Sequence, residues 1–268
     1  MSRIDQRYFW LRAQQMRRIQ PFFPLVRGRA RSDDCKVLSG IIHVKRYGLR
    51  WQDAPAVYGP YKTLYNRFAR RSQMGVFARI FQELAHPGAQ GDAMMMEGTF
   101  LKAHRTVTSL RVRGSGSDPV DRCPKGRDRP QAIGGTKGGL NSKGHMLSDG
   151  KGRPLDFFLS PGQMVDSQGA LVLMRQLPPA KRFLGDKSFD PDWLRDGLRD
   201  RGIRSCIPPR KRRRKPSSYG KRLCRKRYRI ENAFGSLKGW RGIAANYGRC
   251  GGVFLNALIL AVIVIFWI

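Results

Sequence analysis

The sequence predicts an α/β protein in which a mixed sheet with flanking helices follows a small all-α domain. Three observations indicate this. Apolar residues recur at helical spacing from Tyr8 to Ala85, and beyond His86-Pro87-Gly88 short β-type runs alternate with helical ones. The length of 268 residues and the apolar share of 41% are enough for one large or two small domains with a core. We therefore expect a helical domain at residues 1–88 and a sheet domain at residues 89–268.

The helical domain carries local signals for two helices and a turn. Ser32-Asp33-Asp34 is a candidate N-cap, and Gly48 is a candidate end of the helix that follows. The turn Tyr58-Gly59-Pro60-Tyr61 then leads into a basic helix at 63–71. Such a succession can dock on DNA, with Lys62 and Arg67 as contacts, and an amphipathic helix with a solvated basic face explains the pattern equally well.

The sheet domain is predicted from the order of its elements. We expect a strand at 93–102, a glycine-rich loop at 113–139, hairpin strands at 143–148 and 155–159, a helix at 167–176, a strand at 182–185, a helix at 191–201, a strand at 203–207, a basic loop at 211–226, and a helix at 223–240. This succession is that of the ribonuclease-H-like fold, a mixed sheet with helices on both faces. The apolar run at 254–268 is shorter than the roughly 20 residues of a bilayer span, and we expect a buried terminal helix or a helix and a strand.

The charge of the chain indicates a polyanionic partner. Lys and Arg number 52 against 19 Asp and Glu, which gives a formal net charge of +33. Because the charge is spread along the whole sequence, it favours a broad nucleic-acid surface over a polybasic lipid-binding tail, without separating DNA from RNA. The five cysteines are scattered and form no C-x-x-C pair, so neither a zinc site nor a disulfide framework is expected.

Three carboxylates are candidates for the chemistry. Glu97 lies within the first predicted strand, Asp186 directly follows the strand at 182–185, and Glu231 lies within the helix at 223–240. On adjacent strands, Glu97 and Asp186 would meet, and Glu231 would project from a helix packed over them. Hard divalent ions prefer carboxylate oxygens, and phosphodiester chemistry uses two such ions. For each residue alone, a surface ion pair or a helix cap is an equally good explanation.

Cations flank Glu231 along its helix. Arg227 at i−4 and Lys238 at i+7 share its face, whereas Ile230, Phe234 and Leu237 form a neighbouring apolar stripe. The cations could hold DNA phosphates while Glu231 binds metal, and an intrahelical ladder of ion pairs is the alternative.

Four further polar residues call for an interpretation. His104 and His145 are candidate bases or ligands, but two-metal chemistry needs no histidine, and we expect His104 to contact DNA or to pack near the first strand. Asp149 and Asp166 are expected to be turn and helix-cap residues.

Several motifs occur in the order found in one known family. They are Trp51-Gln52-Asp53-Ala54-Pro55, Tyr58-Gly59-Pro60-Tyr61-Lys62-Thr63-Leu64-Tyr65-Asn66-Arg67-Phe68, Leu101-Lys102-Ala103-His104-Arg105-Thr106, Gly134-Gly135-Thr136-Lys137-Gly138-Gly139-Leu140-Asn141, Gly150-Lys151-Gly152-Arg153-Pro154-Leu155 and Gly185-Asp186-Lys187-Ser188-Phe189-Asp190. Together they resemble the insertion-sequence transposases of the IS5 type, within the DDE superfamily.

The resemblance implies roles for single residues. Asp186 falls on the second catalytic Asp of the family and Glu231 on its catalytic Glu, whereas Glu97 stands where the family has its first catalytic Asp. Of the family's Tyr, Arg, Glu and Lys signature, Arg227, Glu231 and Lys238 match, and Cys224 occupies the Tyr position. A Glu keeps the charge of an Asp but is one methylene longer, which would shift a metal by about 1 Å. Lys102 and His104 are further implied DNA contacts.

The resemblance also implies a function. We expect a transposase that would bind the terminal inverted repeats of its element, cleave the ends with two Mg²⁺ ions, for which Mn²⁺ could substitute, and join the 3′-hydroxyls to target DNA. Its expected partners are double-stranded DNA and further copies of the chain, which would form a homo-oligomer in the synaptic complex. No membrane association is expected, and the expected location is the bacterial cytoplasm, in association with the nucleoid. The alternative is a DNA-binding protein derived from a transposase and catalytically weakened or inactive. A third possibility is a basic RNA-binding structural protein.

Overall fold

The computed structural model describes residues 7–24, 33–85, 91–104, 107, 132–211, 213, 219–247 and 251–268. The chain divides into two compact units. The helical unit comprises residues 1–81, 106–127 and 237–268, and the sheet unit comprises residues 82–105 and 128–236. The predicted boundary between residues 88 and 89 falls within residues 86–90, outside the described ranges, and it stays a prediction.

The strands and helices predicted for the sheet unit occur in the expected order, with further short elements between and after them. The helices are α1 (Ala13–Ile19), α2 (Asp34–Tyr47), α3 (Tyr61–Gln73), α4 (Val76–Ala85), α5 (Asp166–Leu173), α6 (Asp192–Asp200), α7 (Lys221–Cys224), α8 (Tyr228–Lys238), α9 (Arg241–Ala244) and α10 (Gly251–Val262), the last extended by a π-helical turn (Ile263–Trp267). The strands are β1 (Gly91–Ala103), β2 (Gly134–Thr136), β3 (Gly139–Asp149), β4 (Pro154–Pro161), β5 (Ala180–Leu184), β6 (Arg204–Cys206) and β7 (Ala245–Asn246).

Helix α2 is the centre of the helical unit. Asp33 caps it, because its Oδ1 accepts from the backbone N–H groups of Cys35 at 2.8 Å and Lys36 at 3.3 Å. It ends at Gly48, whose φ of 66° is the left-handed conformation that favours glycine. Both predictions are confirmed, while Ser32 lies outside the described residues. The apolar helix α10 packs against α2 and α3. Among the described segments, no helix is long and apolar enough to cross a membrane.

The sheet unit is built around β1. Strand β3 pairs with one edge of β1 in antiparallel fashion, and β5 pairs with the other edge in parallel fashion. Beyond β5, β6 continues the parallel part. The second edge of β3 carries β2 at its start and β4 along the rest. This mixed sheet with flanking helices is the ribonuclease-H-like arrangement that the element order predicts.

The alternation of side chains along β1 separates the core from the candidate site. Met94 and Met96 are fully buried in a core that includes Phe183, Leu194 and Leu198. Because successive strand residues point to opposite faces, Met95 and Glu97 lie on the other face of the sheet. The apolar core formed with α5 and α6 therefore covers one face of the sheet. Glu97 projects from the opposite face.

Some predicted loops are in fact structured. Gly134–Thr136 forms β2, where Asn141 Nδ2 donates to Thr136 Oγ1 at 2.6 Å, so the loop prediction is wrong for that segment. Likewise, the prediction of a loop up to residue 226, joined to one continuous helix from 223, is wrong. Residues 221–224 form α7, and Arg225–Arg227 form a 3-10 turn before α8. Residues 113–131 and 214–218 lie outside the described ranges.

Asp149 and Asp166 have different outcomes. Asp149 is a turn residue as predicted, since its Oδ1 accepts from the N–H groups of Lys151 and Arg153 at 2.9 Å. Asp166 does not cap α5, whose N-cap is Val165. It pairs instead with the buried Lys143, at 3.0 Å between Oδ2 and Nζ, because a buried ammonium requires a charged partner.

His145 is a buried residue of β3 and should make the free energy of unfolding depend on pH. Its Nε2 lies 2.9 Å from Ser160 Oγ, and its ring stacks on Phe158. Burial lowers the pKa of His145 to about 4, whereas an unfolded histidine titrates near 6.5. Between these values the unfolded chain binds more protons, so the free energy of unfolding falls as the pH falls.

We expect His145→Gln to lose less stability than the parent between pH 6.5 and pH 4, by up to about 3 kcal/mol. Urea unfolding at a series of pH values measures this difference, and it does not depend on the baseline stability of the variant. Parallel pH curves for the two proteins would contradict the assignment.

Candidate active site

Glu97 and Asp186 lie at the same level of two adjacent parallel strands. Met95 of β1 pairs with Leu184 of β5, and Glu97 and Asp186 each follow two residues further along. The side chain of Glu97 is only 16% exposed, and its Oε1 accepts from the N–H of Gly98 at 3.3 Å. The strand register thus places Glu97 and Asp186 at the same level of neighbouring strands, as the predicted strand order implies.

The turn after β5 holds Asp186. Asp186 Oδ1 accepts from the backbone N–H of Ser188 at 2.8 Å and also from the Ser188 hydroxyl. Arg210 supports this turn by donating to the carbonyls of Lys187 at 3.1 Å and Ser188 at 3.0 Å. An Asp two residues before a Ser at the start of a helical turn is a common capping pattern. The role of Ser188 could therefore have been predicted from the sequence.

Packing of α8 positions Glu231. Ile230 and Phe234 are buried, as the predicted stripe requires, and the ring of Phe234 meets Phe157 of β4 edge-on at 6.2 Å. Just ahead of Glu231, Arg229 Nη1 donates to the carbonyl of Gly150 in the β3–β4 turn at 2.6 Å. The start of α8 is thus fixed to the hairpin, while the Glu231 carboxylate remains 55% exposed.

Arg227 joins two of the three carboxylates. Its Nη2 lies 2.5 Å from Glu97 Oε2 and 3.0 Å from Glu231 Oε1. The pair with Glu231 is the i, i+4 contact that the alternative of an intrahelical ladder of ion pairs describes. The contact with Glu97 was not predicted, because the two residues are 130 positions apart and no local pattern joins them.

Burial and charge act in opposite directions at this contact. Burial raises the pKa of Glu97, with Asp186 adding to the rise, although the Arg227 guanidinium opposes it. Burial alone would lower the pKa of Arg227, but Glu97, Asp186 and Glu231 outweigh it and keep that pKa above its ordinary value. Glu97 and Arg227 therefore form an ion pair in which each charge stabilises the other in a partly buried position.

The donor atoms at this site are of the kind that hard divalent ions prefer. Glu97, Asp186 and Glu231 offer carboxylate oxygens only, which suits Mg²⁺ or Mn²⁺. Within the part of the chain that the structure describes, however, no three His, Cys, Asp or Glu side chains are grouped closely enough to hold a metal ion. Glu97 and Glu231 are linked through Arg227 instead. The residues fit such an ion in chemical type, and Arg227 holds two of them.

The other predicted contact residues are divided between the units. Lys102 is exposed at the end of β1 and His104 follows that strand, both in the sheet unit with the carboxylates. The helical unit contains Lys62, Arg67 and Lys238, the last residue of α8. Burial lowers the pKa of Lys238.

Two family profiles match the chain. One, described as “Transposase DDE domain”, matches residues 91–267, which is more than half of the chain. The chain belongs to the DDE transposase family. The second, described as “Putative transposase of IS4/5 family”, matches residues 11–81. The resemblance inferred from the motifs is thereby confirmed.

Individual proteins are similar over parts of the transposase. The “Uncharacterized protein y4sN” of Sinorhizobium fredii is 30% identical over 112 residues, which are 41% of this chain and 89% of that protein. The “Putative transposase for insertion sequence element IS402” of Burkholderia cepacia is 25% identical over 164 residues, 57% of this chain and 68% of that protein.

Two solved structures are also similar. The piggyBac transposase synaptic complex with hairpin DNA has 9% identity and a TM-score of 0.46, with 92% of this chain and 68% of that chain covered. The Mos1 transposase paired-end complex with the left transposon end has 15% identity and a TM-score of 0.30, with coverage of 89% and 78%.

The backbone next to Glu97 leaves no room for a side chain. A Cβ on Gly98 would lie 1.9 Å from Asp166 Oδ1, which belongs to the buried pair with Lys143. We expect Gly98→Ala to force the pair and β1 apart and to lower the free energy of unfolding by about 1–3 kcal/mol, as measured by urea unfolding.

Gly135→Ala is the matched control for this prediction. Gly135 is also a strand glycine, but an added Cβ there meets no atom within 4 Å. Its free energy of unfolding should change by no more than about 0.5 kcal/mol. Equal losses in both variants would show that strand propensity, rather than contact with Asp166, limits position 98.

Proposed function

We propose that this transposase binds the terminal inverted repeats of its insertion element, cleaves the ends by two-metal hydrolysis and joins the freed 3′-hydroxyls to target DNA. One observation supports this most strongly. Glu97 and Asp186 stand at the same level of adjacent parallel strands, and Glu231 is linked to Glu97 through Arg227. The motif resemblance assigns the catalytic carboxylates of a DDE transposase to these three positions, and this geometry supports that assignment.

Each residue has a defined task in this proposal. Glu97, Asp186 and Glu231 would hold the divalent ions, Mg²⁺ or in its place Mn²⁺. Such ions stabilise the charge that develops on the attacking and leaving oxygens of the phosphodiester. Ser188 keeps the Asp186 carboxylate oriented through its two hydrogen bonds. Lys102, His104, Arg227 and Lys238 would position DNA phosphates. Joining two ends to one target requires at least a dimer.

Helix α3 offers a DNA-binding face. Its inner cations are used within the unit: Arg71 Nη2 lies 2.5 Å from Asp34 Oδ1, and Arg67 lies 4.0 Å from the same oxygen. Lys62, Asn66 and Arg70 are exposed on the other side, and α3 contains no acidic residue. This face combines phosphate-binding cations with an amide that can hydrogen-bond a base edge.

The catalytic proposal predicts metal-dependent nicking. A supercoiled plasmid that carries both ends of the encoding element should be nicked by the parent with Mg²⁺ or Mn²⁺. Asp186→Asn and Glu231→Gln should each reduce the rate by about 10³-fold or more, because each removes an ion ligand worth several kcal/mol in the transition state. Gel separation of nicked from supercoiled plasmid gives the rates.

Asp196→Asn is the control, since Asp196 is a half-exposed carboxylate of the sheet unit that pairs with Arg199. Its nicking rate should equal that of the parent. Nicking that survives in both Asp186→Asn and Glu231→Gln would place the chemistry elsewhere.

A weakened transposase is the second candidate function. The observation in its favour is that the longer Glu97 is held by Arg227 at 2.5 Å, where the family has an Asp. Glu97→Asp separates the two candidates: a gain in nicking of tenfold or more indicates a damaged site, and unchanged or lower nicking indicates that the site accommodates Glu97. Binding of end DNA without nicking by either protein would indicate a DNA-binding derivative.

The α3 face predicts a specific salt dependence. Lys62→Ala and Arg70→Ala should each weaken binding of a duplex with the element end and reduce the slope of log affinity against log salt by about 1. Arg67→Ala should have a smaller effect, since Asp34 already neutralises part of its charge. Fluorescence anisotropy between about 50 and 200 mM salt measures all three.

The control here is Arg79→Ala on α4, which removes the same charge from an exposed arginine of the helical unit. If Arg79→Ala changed the slope of log affinity against log salt as much as Lys62→Ala does, net charge, rather than the α3 face, would determine DNA binding.

A further inference from the structure

The Arg227 guanidinium occupies the oxygens that a metal ion at this site would need. One nitrogen, Nη2, contacts both Glu97 Oε2 and Glu231 Oε1, at 2.5 and 3.0 Å. A guanidinium carries a permanent positive charge and has no lone pair to offer to an ion. A cation bound by these two oxygens and Arg227 in its present place therefore exclude each other.

Arg227 can leave this position only if it finds another anion. Its side chain is 18% exposed and that of Glu97 is 16% exposed, so an unpaired charge in either place would be costly. Its Nε is buried and has no hydrogen-bond partner, so the donor fork is incompletely used. A phosphate diester presents two oxygens that match such a fork, and arginine binds phosphate bidentately in preference to single contacts.

We propose that Arg227 is an internal counter-ion that Glu97 and Glu231 release to a DNA phosphate, so that DNA binding and metal binding strengthen each other. The inference rests on the proposed function, because it takes Glu97 and Glu231 to be metal ligands. In the DNA-free protein the guanidinium contacts both carboxylates, offsets one of their two negative charges and weakens metal binding. With duplex bound, the guanidinium pairs with the backbone phosphate, and the oxygens become available to a divalent cation.

Thermodynamic linkage makes the proposal measurable without any cleavage. If duplex raises metal affinity by some factor, metal must raise duplex affinity by the same factor. We expect a factor of roughly 5 to 150 for the parent, the usual range of coupling between two sites. Isothermal titration with Mn²⁺, with and without a short duplex carrying the element end, gives the first factor, and anisotropy of the labelled duplex with and without Mn²⁺ gives the second.

Variants at position 227 should remove this coupling. Arg227→Gln should bind Mn²⁺ more tightly than the parent in the absence of DNA and should show a smaller increase when duplex is added. Arg227→Lys keeps the charge without the planar fork, so its coupling should be intermediate, and it serves as the test if Arg227→Gln does not fold. Arg225→Gln is the matched control, an exposed arginine of the same 3-10 turn, and its coupling should match that of the parent.

The outcomes separate this inference from the proposed function. Mn²⁺ binding that is equally tight in the parent, Arg227→Gln and Arg227→Lys would overturn the counter-ion role and leave the metal site in place. Mn²⁺ binding that survives in the double variant Glu97→Gln with Glu231→Gln would show that these residues are not the ligands, and both proposals would then fail. If neither the parent nor any variant bound Mn²⁺, with or without duplex, both proposals would also fail.

Discussion

The position of β1 between two partners of opposite direction determines the rest of the sheet unit. Pairing with β3 on one edge and β5 on the other buries Met94, Met95 and Met96 completely. The same register places Glu97 level with Asp186. A slip by one residue would turn Glu97 toward the apolar core and bring Gly98 to the site. The hydrophobic pattern that stabilises the sheet thus also fixes the geometry of the carboxylates.

Several buried cations among the described residues are organised around a single carboxylate. Lys143 pairs with Asp166, Arg71 pairs with Asp34, and Asp190 accepts from Arg195 and Arg213. Each such carboxylate is needed, because removal of one partner leaves an uncompensated buried charge. The pair of Glu97 with Arg227 follows the same rule, but beside it lies Glu231, which is more than half exposed. Here the ion pair borders solvent, where a nucleic-acid phosphate can compete.

The sequence was informative wherever local physics decides the structure. The main helices and the strands β1, β3, β4, β5 and β6 follow from periodicity and turn residues. The equal level of Glu97 and Asp186 follows from strand order. β2 was missed because Gly134-Gly135-Thr136 is short and rich in glycine, and the start of α7 was missed because Lys221 and Arg222 continue a basic run. Their structure depends on contacts with distant segments.

Ion pairs between residues far apart in the chain could not be predicted from the sequence, for the same reason. Glu97 meets Arg227 across 130 positions, and Lys143 meets Asp166 across 23 positions. Neither spacing has a periodicity that a sequence pattern could reveal. The catalytic roles of the three carboxylates are a prediction from motif and register. The contacts of Arg227 with Glu97 and Glu231 identify the neighbour that would influence metal binding by them.

The helical unit is assembled from segments that are far apart in the chain. Helices α2 and α3 acquire α10 as a packing partner, and residues 82–105 and 128–236 of the sheet unit lie between them in sequence. During synthesis a ribosome therefore completes the sheet unit before the last helix of the first unit exists. Until then part of the apolar surface of α2 and α3 lacks its native cover. A chain that stops before α10 would therefore leave part of the apolar surface of α2 and α3 exposed to solvent.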